Sequence, residues 1–138
     1  MDSKYYVPNI EEFHVGFEYE QLTTKPEYDP DWKFKVKKAV FTVQHVTKSY
    51  FKYNFPLDLA EGKILVKYLD REDIESFDFE FTKTAVDTFY VKRINSFRYT
   101  VAREGGDIYS IRKGGDVIFM GIIKNKSEFK KLLKQLEI

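Results

Sequence analysis

The clearest periodicity lies at the C-terminal end of the chain. Phe129, Leu132, Leu133 and Leu136 recur at i, i+3, i+4 and i+7, with Lys130, Lys131 and Lys134 on the opposite side. This spacing predicts an amphipathic helix that packs one apolar face. Ser127 is the expected N-cap, and Glu128 places a carboxylate in the first turn, where the helix dipole favours it. Lys130 stands three positions after Ser127, so no capping box forms on that cap.

Before the helix the period falls to two. Phe97, Tyr99 and Val101 alternate with polar residues, as do Tyr109 and Ile111, and the segments 103–107 and 113–116 each carry a Gly-Gly pair. Alternating segments joined by glycine-bearing turns predict an antiparallel meander. Its last member, residues 117–123, is apolar on both sides and reads as a central strand. Further upstream, residues 14–20 alternate, with Val15, Phe17 and Tyr19 on the inward face. Trp32, Phe34 and Val36 alternate with lysines, and residues 39–55 read as one or two more strands. Ile64, Val66 and Tyr68 mark another strand. Asp70 then caps a short helical turn over residues 71–76, and Phe77, Phe79 and Phe81 alternate with acids. The expected fold is α+β: a twisted, mostly antiparallel β-sheet with the C-terminal amphipathic helix packed on one face, as a single compact domain over residues 1–138.

Composition narrows the function classes. The 138 residues include thirteen Phe, ten Tyr and one Trp, ample for a core, and only seven Gly and four Pro. Without cysteine, thiol chemistry, disulfides and Cys-based zinc sites are excluded. No apolar run approaches the ~20 residues of a membrane span, and MDSKYYVPNIEEF lacks the apolar run of a signal peptide. A cytoplasmic protein is expected. The formal net charge of +1 conceals alternating blocks: −6 over residues 1–31, +6 over 32–54, −5 over 55–88, and +3 over each of 89–112 and 113–138. Such blocks either cancel across neighbouring strands or converge into a basic face that attracts an anion.

Catalytic patterns are weak. His14 and His45 are the only histidines. On one strand His14 and Glu18 would lie about 13 Å apart, too far to share an ion, whereas Glu18 and Glu20, about 7 Å apart on the same face, either reach a common hard cation such as magnesium or stand as two solvated carboxylates on the wet side of a half-buried strand. Asp31 followed by Glu61-Gly62-Lys63 matches the letters of the PD-(D/E)xK nucleases, in which two carboxylates hold magnesium and the lysine orients water. Here the second carboxylate precedes a strand instead of lying on it. No nucleophile elbow or phosphate-binding loop occurs, and the Gly-Gly pairs read as hairpin turns. No catalytic residue, metal ligand or cofactor site is assigned.

Interleaved aromatic and basic residues remain: Trp32-Lys33-Phe34-Lys35, Tyr50-Phe51-Lys52-Tyr53 and Phe97-Arg98-Tyr99. Neighbours on one strand point to opposite faces, so these segments read either as ordinary amphipathic strands, aromatics inward and lysines in solvent, or, on a curved sheet or on adjacent strands, as a surface offering both stacking and charge. Trp32, Lys33, Lys35, Tyr53 and Arg98 are the candidate ligand-binding residues on that basis.

The segments NIEEFHVGFEYE (residues 9–20), KNKSEFKKLLKQL (124–136) and the stretch 64–76 cover about a quarter of the chain. They resemble small proteins, without assigned activity, of bacteriophages and mobile elements of gut Bacteroides-type bacteria. The resemblance implies a phage-type accessory protein made in the host cytoplasm, and carries over no functional residue. The leading expectation is a non-enzymatic protein that binds a host or viral protein partner. The alternative is a nucleic-acid- or nucleotide-binding module using the basic and aromatic strands, and the third is a magnesium nuclease with Asp31, Glu61 and Lys63.

Overall fold

The structure, a computed structural model, describes residues 4–22, 36–42 and 49–138, with the backbone alone for residues 22, 36, 37 and 49–54. The chain divides into two compact units, Met1–Tyr68 and Leu69–Ile138. The described elements form two antiparallel sheets and few helices, an α+β fold that includes the expected C-terminal helix.

In the first unit, β1 (Tyr5–Tyr6), β2 (Glu18–Leu22), β3 (Val36–Val40) and β4 (Ile64–Lys67) pair in the order β1-β4-β2-β3. The alternating run at 14–20 is only partly a strand. The His14 carbonyl accepts the Phe17 N–H at 2.9 Å, and Gly16 has φ +94°. That left-handed backbone is what glycine permits, so the chain turns before β2 begins. Val15 rides on the turn, exposed, while Phe17 and Tyr19 point inward as expected. They join Phe55, Ile64 and Val66 in one core. Phe13 packs on its margin, its ring edge-on to Phe55 at 4.9 Å and 88°.

The sharpest departure is α1 (Ser49–Ala60), a helix where strands are expected. Its apolar residues alternate, and Pro56 sits in the helix interior, where its missing N–H and ring bulk cost roughly 3 kcal/mol. The burial pattern resolves the conflict. Phe55 and Leu59, four residues apart, turn to the core, while Leu57 is exposed. That is helical spacing drawn from a sequence that also satisfies period two.

The second unit opens with α2 (Arg71–Glu75), capped as expected by Asp70, whose carboxylate accepts the Asp73 N–H at 3.0 Å. Next come β5 (Glu80–Lys83), β6 (Thr88–Ile94), β7 (Phe97–Gly105), β8 (Ile108–Lys113) and β9 (Asp116–Ile122), a meander in sequence order. Asp78, at φ 69°, breaks the Phe77–Phe81 alternation, so the strand begins only at Glu80. Ile94 pairs directly with Phe97, leaving Asn95-Ser96 as a two-residue turn with Asn95 at φ 56°. Among the described strands the segment 117–123 is not central: β9 stands last in the sheet order.

The last helix, α3 (Lys126–Gln135), is capped by Asn125, not Ser127. The Asn125 side chain accepts the Glu128 N–H at 2.9 Å, and the Glu128 carboxylate reaches back to the Lys124 N–H at 2.7 Å. Asparagine caps as well as serine does, and with the cap at Asn125 the Glu128 carboxylate stands in the first turn, where it accepts the N–H of the residue before the cap. From α3, Phe129 and Leu133 enter the core with Leu69, Ile74, Phe79, Tyr99, Val101, Tyr109, Ile111 and Ile123.

Tyr109 is buried in this core with its hydroxyl donating to the Leu69 carbonyl at 3.3 Å. Burial pushes its phenol above the ordinary value of 10.0; the Arg103 charge works against that shift, and Tyr90, Asp107 and Asp70 add to it. Tyr19 is raised by burial and by the Asp58 carboxylate, and Tyr90 chiefly by burial. Below pH 10 these phenols are protonated in both the folded and the unfolded chain. Above it the unfolded chain releases protons that the folded one retains, so stability falls as pH rises from 10 through the raised folded values. Circular dichroism against pH is expected to show alkaline unfolding starting above 10. Tyr109→Phe should make the decline shallower; a decline of unchanged steepness would mean that Tyr109 does not drive it.

Candidate binding face

Among the described residues, no three His, Asp or Glu side chains lie together as a metal site would require. The described histidine, His14, sits 3.2 Å from the Glu12 carbonyl with its ring edge-on to Phe17. Glu18 and Glu20 lie on β2, with Glu20 directly opposite Lys38. Of the nuclease letters, Asp31 lies outside the described residues. Glu61 and Lys63 pair with each other at 2.7 Å in the turn before β4, and the Glu61 hydrogen bond holds the Lys63 ammonium above its ordinary range. An open recess of about 640 Å³ is lined by Arg71, Glu75, Asp78, Phe79, Glu80 and Phe81. Its arginine is already engaged, paired with Glu75 and lying 4.0 Å over the Phe81 ring.

Of the candidate ligand-binding residues, Trp32, Lys33 and Lys35 lie outside the described residues. Tyr53 is carried by α1 in the first unit, on a helix instead of a strand, and its side chain is outside the description. Arg98 is exposed on β7 in the second unit.

The register around Arg98 gathers residues that the sequence does not place together. Period two puts Tyr90, Lys92 and Ile94 on the core-facing side of β6, with Tyr99 and Val101 on β7, and Tyr109 and Ile111 on β8. The opposite side carries Phe89, Val91 and Arg93 on β6, Arg98, Thr100 and Ala102 on β7, and Ile108, Ser110 and Arg112 on β8. Arg93 stands directly across from Arg98, and Arg112 faces Thr100, one diagonal step from Arg98. The Arg98 guanidinium lies 5.8 Å from the centre of the Phe89 ring. Stacking and charge thus meet on one face through two adjacent strands.

Directly opposed like charges are unfavourable, yet among the described residues no carboxylate forms an ion pair with any of the three exposed arginines. Two carboxylates share this face. Glu104 accepts the Ser110 hydroxyl at 2.6 Å, and Glu80 faces Val91. Arg93 was missed at the sequence level although Phe89, Val91 and Arg93 alternate and Asn95-Ser96 supplies a turn; those two signals together predict β6.

The same face runs onto β9 through Ser110 opposite Met120 and Ile108 opposite Ile122. Met120 and Ile122 are 58% and 63% exposed, beside exposed Ile108, Val117 and Ile118. A bulge leaves Ile118 unmatched between the Phe119–Ile111 and Val117–Arg112 pairs. Among the described residues no strand pairs with the outer edge of β9. Among the described residues, too, no helix is long and apolar enough to cross a membrane. No protein-family model, curated protein or solved structure matches the chain.

Proposed function

We propose that the chain is a non-enzymatic binding protein that takes up an extended segment of a protein partner along the open edge of β9, in the host cytoplasm. One observation carries this reading: β9 has the composition of a central strand and, among the described strands, the position of an edge strand. Strands that are apolar on both faces ordinarily have neighbours on both sides. Soluble proteins protect free edges with lysine, proline or short length. β9 instead leaves Val117, Ile118, Met120 and Ile122 exposed over a seven-residue strand. An added strand would complete the main-chain hydrogen bonding and set its own side chains beside these on each face. The bulge at Ile118 interrupts the edge, so the partner is expected along 119–122, where the register with β8 is regular.

A photo-crosslinking amino acid at Ile122 is expected to yield an adduct in the protein's native cells whose peptide map points to an extended segment of the partner. The same group at Val86, the exposed tip of the β5–β6 turn, should give none. Met120→Lys introduces an edge charge and should abolish the adduct without shifting the melting temperature. An adduct that forms equally from Val86, or survives Met120→Lys, would remove β9 as the contact. An adduct of twice the chain's mass would make the partner a second copy.

A further inference from the structure

We infer that Arg93, Arg98 and Arg112 form a binding site for the phosphate backbone of single-stranded nucleic acid, independent of the β9 edge. Three adjacent strands each contribute one guanidinium to the same face, and none of the three is paired with a described carboxylate. Since Arg93 and Arg98 are directly opposed, their mutual repulsion is relieved when an anion lies between or across them. Guanidinium is suited to this, because its planar fork donates in pairs to phosphate oxygens.

Size selects a strand over a lone phosphate. Neighbouring strands lie about 4.8 Å apart, so a row crossing three of them extends about 10 Å, more than one phosphate group covers. All three side chains are exposed, and the recess lined by Arg71 and Glu75 does not include them. An open row of cations grips an extended polyanion at several points but does not enclose a single nucleotide. Phe89, within cation–π distance of Arg98, adds a ring beside the row, the pairing of stacking surface and charge used for single strands. The chain's formal net charge is only +1, so attraction is confined to this patch.

The test is fluorescence anisotropy of a labelled oligo-dT of about 20 nucleotides, a length that reaches well beyond the few nucleotides a single domain contacts. It is run at several salt concentrations with ATP and poly-L-glutamate as separate probes. Arg93→Gln, Arg98→Gln and Arg112→Gln should each weaken oligo-dT binding roughly tenfold, as expected for the loss of one charge-assisted contact. The slope of log K against log salt should fall in magnitude by about 0.7 for each arginine removed. Arg98→Lys keeps the charge, so the slope should hold while affinity drops. Lys130→Gln on α3 serves as the control and should change neither.

Absence of binding, or a loss no greater than that of Lys130→Gln, would overturn the assignment. Equal affinity for ATP would reassign the row to a free nucleotide. Equal, arginine-dependent affinity for poly-glutamate would reassign it to an acidic protein surface. All of these positions are solvent-exposed, and an unchanged thermal melt for each variant would show that the differences are not caused by misfolding.

Discussion

Phe129→Ala is expected to destabilise the second unit by about 3–5 kcal/mol, the range for truncating a fully buried aromatic side chain. Phe129 is 0% exposed and packs against Phe77 at 5.4 Å, edge-on, and Phe79 at 5.9 Å. Truncation leaves a cavity that neither ring fills without leaving its own place, and it loosens α3 from the sheet. Marginal stability makes this loss comparable to the total for a small unit. Lys131→Ala, on the exposed side of α3, should change stability by no more than about 0.5 kcal/mol. Chemical denaturation followed by far-UV circular dichroism reads both. A Phe129→Ala loss below about 1 kcal/mol would mean that the helix is not held through this ring.

Both the helix and its inward face are legible in the sequence, because Phe129, Leu132, Leu133 and Leu136 satisfy only one period. The meander is legible for a similar reason: alternation and glycine turns agree in 97–116. Where two local signals conflict, burial decides. Phe55, Leu57 and Leu59 fit a strand by alternation, and Pro56 argues against a helix, yet the chain forms one because Phe55 and Leu59 reach the core together. Strand order is also not a local property. The 117–123 segment has the composition of a central strand, and only the sheet order places it at an edge among the described strands. The arginine row is legible only in part: Arg98 stands out in Phe97-Arg98-Tyr99, but its neighbours Arg93 and Arg112 come from other strands. Pairing, not spacing along the chain, brings them together.

Phe17→Ala should have an effect of similar size in the first unit, about 3–5 kcal/mol, and Phe17→Leu separates its causes. Phe17 is 1% exposed, and the Phe13 ring lies 4.8 Å away at 59°. Phe13 also contacts Tyr19, Phe41 and Phe55, so it links the turn before β2 to the helix and the end of β3. Leucine at position 17 keeps most of the apolar volume, so a cost below about 1.5 kcal/mol is expected if filling space is what matters. Edge-and-face attraction to Phe13 adds roughly 0.5–1.5 kcal/mol for the ring itself. Repeating both substitutions in a Phe13→Leu background isolates that contribution as a coupling energy. Hydrogen exchange at the β2 and β4 amides reads the result where the residue acts. If Phe17→Leu proves as costly as Phe17→Ala, volume is not the main requirement, and the stack of rings becomes the element that holds β2 against α1.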